Sequence, residues 1–332
     1  MILGLDIGGA NLKASDGSSW SESIVLPLWS DFDALQPTLG RLVKHRLPQA
    51  IAVTMSGELA DCFTSKADGV DRILAAVEAA AGDRPVVVWQ TAGEFVPVVV
   101  AREFWMLTAA ANWHAQATWA ARCHPHGSAL LLDVGTTTTD LIPIQDGFVA
   151  ATGRTDFDRL SSGELLYEGL GRTPLACLDA DGPGIPAMAA EVFATTGDAW
   201  VVFRNDPAVW SGPTADGRDC GVAASRHRIA RQFCSDENEL PSGLIDDVVR
   251  RVCEGQVERI FAAAAALIGD DGAALILSGS GGPVAAAVAA ELTRQGRITE
   301  TVVLADLLSP AAASAGCAYA VATLAGERLH LP

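Results

Sequence analysis

Basic residues are scarce in this chain: 23 Lys and Arg stand against 40 Asp and Glu, a formal charge of −17. Binding to nucleic-acid phosphates rests on clustered cations, so nucleic acid is excluded as a partner. Any phosphate bound here must be held locally, by backbone N–H groups, a metal ion or a single lysine, because the overall field repels anions. Cysteine is sparse and scattered. The seven residues (62, 123, 177, 220, 234, 253 and 317) include no C-x-x-C pair, which points to a reducing compartment. A charged leader followed by a long apolar core is also missing, because Asp6 interrupts the first apolar run after five residues. The longest candidate span, Phe261 to Ile268, is mostly alanine and far too short to cross a membrane. The expected location is the cytoplasm, with no membrane partner. No segment is of low complexity, and nothing in the sequence sets an oligomeric state.

Apolar residues are abundant, at 49% of 332, enough for a large core and, at this length, two domains. The chain is organised around Leu130 to Ile144, where an apolar run ends in Asp133, Gly135 follows, then Thr136 to Thr139, then a second strand-like run from Leu141. This reads as a hairpin with a polar, glycine-bearing tip. The same grammar opens the chain, with a strand from Ile2, Asp6, Gly8-Gly9, Asn11 and a return strand through Lys13. Two copies 127 residues apart imply a duplicated architecture.

In chain order, strands are expected at about 2–7, 11–15 and 24–26, then a helix N-capped by Asp31 to about His45. A buried strand at Ala50 to Thr54, a helix opened by Asp68 and running to about Ala81, and a strand at Val86 to Trp89 complete the first half. That order is a ribonuclease-H-like layout, a mixed sheet with helices packed on it. A crossover helix over 103–123 leads into the repeat. Its strands are expected at 128–134, 139–144 and 148–151, followed by a helix at 244–268, a strand at 274–277, a helix at 283–295, a strand at 301–304 and a final helix at about 310–325. The fold class is therefore α/β, two ribonuclease-H-like domains around a central cleft, 1–102 and 103–332. The second carries an insertion at 154–240 that reads as a lid.

A tight glycine turn exposes successive N–H groups suited to phosphate oxygens, and a strand-ending aspartate offers hard oxygen to Mg2+. Gly8, Gly9, Asn11, Gly135, Thr136, Thr137 and Thr138 are assigned to phosphate, Asp6 and Asp133 to the metal or its waters, and Lys13 to a terminal phosphate. Two such hairpins facing each other can grip one diphosphate. A third signal is Gly279-Ser280-Gly281-Gly282-Pro283, a strand running through glycines into a helix N-terminus, whose N–H groups suit phosphate as readily as the segment suits a plain strand-to-helix turn. Asp140 follows the threonines and is a candidate to face the cleft. Cys123-His124-Pro-His126 lacks a second ligand cluster and reads as a surface turn. Trp105, Trp113 and Trp119 at helical spacing read as core.

Taken together, these motifs resemble the acetate kinase, sugar kinase, heat-shock protein and actin superfamily over nearly the whole chain. A narrower likeness is carried by Asp6-Ile-Gly-Gly-Ala-Asn11, the run Thr54 to Phe63, Ser65-Lys66, Asn112-Trp113, and Asp133 to Asp140. This set resembles the hydantoinase/oxoprolinase-related proteins of tetrahydromethanopterin-linked one-carbon metabolism, which include a synthase of methanofuran biosynthesis. The resemblance implies condensation of an aminomethyl-furan-methanol diphosphate with the phenol of a gamma-glutamyl-tyramine-like or tyrosine-derived partner. Diphosphate leaves and an aryl ether forms, without ATP. Its proton acceptor would be Glu58 or Asp61; both also suit plainer roles, as a turn cap and a solvated loop acid. Arg154, Asp156, Glu164, Tyr167, Arg172, Thr214, Asp216 and Arg226 resemble family segments, which implies that some grip the amine or glutamyl ends of the substrates while surface charge suits any single one; Tyr167, Arg172 and Asp140 are the substrate candidates. Competing readings are an ATP-dependent small-molecule kinase or hydantoinase/oxoprolinase-like enzyme, against which Asn11 stands where sugar kinases place a hydroxyl, and a nucleotide-gated binding protein.

Overall fold

The computed structural model describes residues 1–180 and 182–329; residue 181, within the expected insertion, and residues 330–332, the end of the expected second domain, lie outside the described residues. The chain forms two compact units, each with its own core. The first comprises Met1–Ala129, Ile142–Ser162 and Val303–Pro332, the second Leu130–Leu141 and Gly163–Val302. We propose that the repeated halves divide at residue 102/103.

The first unit holds a six-stranded sheet of β1 (Ile2–Gly8), β2 (Asn11–Ser15), β3 (Ser21–Val25), β4 (Ala50–Ser56), β5 (Val86–Trp89) and β6 (Phe95–Pro97), in the order β3-β2-β1-β4-β5-β6. β1 pairs antiparallel with β2 and parallel with β4. Period-two alternation divides β1 between two cores. Leu3, Leu5 and Ile7 join Val53, Met55 and the helices Leu35–Arg46 and Lys66–Ala81. Ile2 joins Ala50, Ala52, Trp89, Ala111, Val321 and Leu324 on the opposite face. The last helix, Gly316–Arg328, closes that second face. A Cβ on Gly4 would lie 2.2 Å from the Ala318 carbonyl oxygen, so only glycine admits the helix so close to β1.

The second sheet contains β7 (Ser128–Val134), β8 (Thr139–Gln145), β9 (Phe148–Val149), β10 (Leu165–Leu166), β11 (Ala273–Ser278) and β12 (Ile298–Val303). Its order is β10-β8-β7-β11-β12, with β9 also on β8, which repeats the β3-β2-β1-β4-β5 core of the first sheet. The third strand is not the single run expected at 148–151. β9 pairs only beside the Asp146-Gly147 turn, and β10 takes the place next to the threonine tip. The helix Leu244–Ile268 forms as expected. Much of the expected insertion is built into the core of this unit, where Trp200, Val201, Trp210 and Ile229 are buried with residues of that helix.

Three local expectations change. Asp31 makes no side-chain cap; a single turn at Phe32–Ala34 intervenes before the helix. Asp68 does not open its helix, which begins at Lys66 under a Ser65 cap, and the Asp68 carboxylate instead accepts from the Thr64 N–H. The crossover is not one helix over 103–123 but Val98–Glu103, Trp105–Thr108 and Asn112–Ala120. The break is set by the buried Thr108 hydroxyl, which donates to the Ala101 carbonyl and accepts from Gln90, and by Ala110 at φ 49°.

Candidate functional site

In the first unit the polar residues of the β1 and β4 ends continue the row that begins with Ile2 and Ala50. Asp6 stands beside Thr54 in the parallel register and beside Lys13 across the hairpin. Asp6 is buried, and its Oδ1 has no hydrogen-bond partner; neither has the Thr54 hydroxyl. Lys13 Nζ lies 4.0 Å from Asp6 Oδ2. Burial pushes the Asp6 pKa above its ordinary value and Lys13 pulls it back. The tip beyond is tight: a Cβ on Gly57 would meet the Gly8 carbonyl carbon at 2.9 Å, while one on Gly9 would meet nothing.

Glu58 follows the end of β4. It is 1% exposed, its Oε2 has no hydrogen-bond partner, and Lys66 Nζ is 3.9 Å from Oε1. The sequence builds this arrangement locally. Gly69, a Cβ on which would lie 2.0 Å from the Glu58 carbonyl oxygen, lets the helix dock on the Glu58 backbone, and the Ser65 cap fixes Lys66 in its first turn. Burial raises the Glu58 pKa; its own N–H, Lys66 and the Ala110 N–H oppose this, and Asp156 adds to it. Asp156 in turn is 3.6 Å from Arg159, whose guanidinium lies 4.1 Å over the Trp113 ring. Asp61, by contrast, is exposed in the following loop. The structure thus separates the two expected acids. The chain has three lysines, Lys13, Lys44 and Lys66, and two of them sit at buried carboxylates. That coincidence was available in the sequence and went unread, because pairing needs the fold.

In the second unit three loops meet at the end of β7. Gly135 N–H closes the tip on the Thr138 carbonyl, and Gly135 and Thr136 carbonyls accept from the N–H groups of Leu170, Gly171 and Arg172. Gly169 passes so near that a Cβ would lie 2.6 Å from the Thr137 nitrogen. Gln256 holds this segment by donating to the Gly169 carbonyl while accepting from Trp200 Nε1 at 2.6 Å. From the other side Gly279, at φ 90°, would place a Cβ 2.2 Å from the Val134 carbonyl oxygen and 2.6 Å from Asp133 Oδ1. Gly281 N–H donates to that same carbonyl at 2.7 Å. Asp133, Gly135 and Thr136 to Thr138 are half-buried, so the polar tip remains open. The glycines at 169 and 279 are close-approach positions, which the sequence reading assigned only in part.

The remaining candidates divide. Asp140 lies on β8 opposite Leu165, Tyr167 is 69% exposed, and Arg172 is an exposed side chain whose backbone supports Thr136. Glu164 is buried, and its carbonyl accepts from the Leu141 N–H. Thr214 and Asp216 belong to a structural network in which Arg228, fully buried, binds Asp198 at 2.7 Å and Asp216 at 3.1 Å. Arg226 bridges Glu237 and Asp246. Trp113 is core, as expected, and Trp119 stacks edge-on with Tyr319.

Among the described residues no group of three or more His, Cys, Asp or Glu could hold a metal ion. The donors present nevertheless fit Mg2+. Its usual site takes one or two carboxylates and completes its shell with water and substrate phosphate, and Asp6 Oδ1 is a buried acceptor lacking a donor. Asp6 would supply one carboxylate to the ion, which when bound would neutralise phosphate charge.

The hydantoinase/oxoprolinase family matches residues 49–179. The (4-{4-[2-(gamma-L-glutamylamino)ethyl]phenoxymethyl}furan-2-yl)methanamine synthase of Methanocaldococcus jannaschii is 32% identical over 268 residues, 78% of this chain and 79% of that protein. The synthase of the same name from Methanococcus vannielii is 40% identical over 117 residues, 34% of this chain and 52% of that one. Among solved structures, nucleotide-free acetone carboxylase is similar with a TM-score of 0.53 at 11% identity, over 97% of this chain and 70% of that one. At that identity the likeness concerns the fold alone: duplicated ribonuclease-H-like domains, each a mixed sheet with helices packed on it. The chain belongs to the (4-{4-[2-(gamma-L-glutamylamino)ethyl]phenoxymethyl}furan-2-yl)methanamine synthase family.

Proposed function

We propose that this enzyme acts in methanofuran-type cofactor biosynthesis, joining an aminomethyl-furan-methanol diphosphate to the phenol of a glutamyl-tyramine or tyrosine-type acceptor. The C–O bond between the furan methylene and diphosphate breaks, its electron pair leaves with diphosphate, and the phenol oxygen bonds to the methylene carbon. The observation that carries this reading is the match to the Methanocaldococcus jannaschii synthase over four-fifths of both chains.

The chemistry asks chiefly for stabilisation of a departing anion, because the furan ring delocalises positive charge on its methylene. Gly8, Gly9 and Asn11 of one tip, Gly135 and Thr136 to Thr138 of the other, and the Gly279 to Gly281 turn are proposed to bind the diphosphate, with Lys13 beside its terminal phosphate. Mg2+ is the proposed cofactor, for which Asp6 in one unit and Asp133 in the other are each candidate ligands. The phenol, with an ordinary pKa of about 10, must lose its proton as the ether forms. Glu58 is the proposed acceptor, since burial makes it a stronger base, and Lys66 beside it favours a developing phenolate. Asp61, exposed, is the lesser candidate. Asp140, Tyr167 and Arg172 are proposed substrate contacts, and the cytoplasm is the proposed location.

The hydantoinase/oxoprolinase match over 49–179 favours one second reading, an ATP-dependent enzyme on the same scaffold. Purified protein given Mg2+ and the furan diphosphate with a tyramine-type phenol is expected to release diphosphate and form ether with no nucleotide present. Formation of ADP coupled to product, or an absolute need for ATP, would replace the first reading by the second.

A further inference from the structure

Behind the Glu58 cluster the first unit contains a cavity of about 420 Å³ that no part of the reaction above uses. Its wall includes Trp113, His114 and Phe148, and its cationic side is formed by Arg122, Arg154 and Arg328. Three guanidiniums converge here in a chain carrying a charge of −17. Arg122 is paired with Glu327. Arg154 and Arg328 are exposed at its mouth, and each donates to a backbone carbonyl, of Thr91 and Gly93; Arg154 has no ion-pair partner among the described residues, while Arg328 lies over the Trp89 ring within the field of Glu327. A second, independent feature points the same way. Trp113 is 5% exposed, yet its Nε1, a donor, has no hydrogen-bond partner. Cationic side chains and an unpartnered indole N–H on one side and apolar or aromatic surface on the other describe a receptor for an oxyanion attached to an apolar body. The volume suits such a molecule and far exceeds what a bare anion fills. Trp113 also connects this cavity to the proposed proton acceptor, because the guanidinium above its ring is that of Arg159, the partner of Asp156.

We propose that this cavity binds the carboxylate-bearing end of the phenolic acceptor, with Arg154 and Arg328 as the residues that select it. The identification of the occupant with the acceptor rests on the function proposed above; the oxyanion chemistry of the cavity does not. The test is calorimetric titration of the purified chain with gamma-glutamyl-tyramine, with tyramine, which keeps the phenol and lacks the carboxylate, and with inorganic phosphate. Gamma-glutamyl-tyramine is expected to bind at least about tenfold more tightly than tyramine, in keeping with a charge-assisted contact. Arg154→Gln and Arg328→Gln are each expected to weaken it by about tenfold while leaving tyramine unchanged, and phosphate is expected not to compete. Equal affinity for the two phenols in the unaltered protein would overturn the proposal without any variant, and so would displacement by phosphate. Ether formation from tyramine at undiminished kcat/KM would overturn it and leave the synthase reading intact. Selective binding of the glutamyl compound with no turnover would support the cavity assignment and sink the synthase reading.

Discussion

His114 offers the most quantitative test of this packing. It is 8% exposed, its ring lies 5.2 Å from that of Trp113 and 5.8 Å from that of Trp89, and Arg154, Arg328 and Arg159 are the charges that act on it. Burial first, and those guanidiniums second, depress its pKa from 6.5 to about 4. In the unfolded chain the imidazole takes up its proton near its ordinary value. Between these limits the unfolded state therefore binds more protons, and stability rises with pH. The contribution is full above pH 6.5 and is lost progressively as pH falls through 4. At 1.36 kcal/mol per pKa unit, the difference between 6.5 and about 4 amounts to about 3 kcal/mol, most of it spent before roughly pH 4.5. Urea unfolding followed by tryptophan fluorescence at neutral pH and near pH 4.5 measures it. His114→Gln, which cannot titrate, should lose about 2 kcal/mol less than the unaltered protein between the two conditions, the carboxylates being common to both. Parallel losses in the two proteins would refute the buried, neutral imidazole and with it the cationic surroundings assigned to the cavity.

Three further outcomes are expected. Because the folded pKa of Glu58 is raised, its contribution to stability is present below its unfolded value and is lost as pH rises through the folded one. Glu58→Gln should therefore melt higher than the unaltered protein at alkaline pH while releasing diphosphate far more slowly; a lower melting temperature there would contradict the burial argument. Asp198→Ala leaves the fully buried Arg228 with one carboxylate partner, Asp216, and should cost about 3 kcal/mol in urea denaturation, so a shift within experimental error would remove the network from the core of its unit. Gly279→Ala forces a left-handed φ on a side chain that would also press on the Val134 carbonyl, a cost of about 2–4 kcal/mol readable as a drop in melting temperature; an unchanged value would mean that the turn is not held as described.

The repeated hairpins were legible because every determinant is local. An apolar run, an aspartate, glycine two residues later and a return run fix a strand and its turn without reference to the rest of the chain, and Leu244–Ile268 announces itself by its length and apolar spacing. The crossover misled for a related reason. Its apolar spacing favours one helix, but the Thr108 hydroxyl is satisfied by Ala101 and Gln90, and that buried bonding stops the helix. Asp31 and Asp68 have the right residue type for a cap, but Asp31 precedes an intervening single turn and makes no cap bond, and Ser65 caps the helix assigned to Asp68.

The sequence by itself determined the strands of the two repeated hairpins, their glycine-bearing tips and the family, since each is written in short stretches of chain. Only the tertiary structure decided that Gly4 admits the last helix onto the first sheet, that Glu58 is buried with Lys66 while Asp61 is left in water, and that Arg122, Arg154 and Arg328 line one cavity. Those facts depend on which side chains are removed from water and which charges then lie within a few ångströms, and both are properties of packing between segments far apart along the chain.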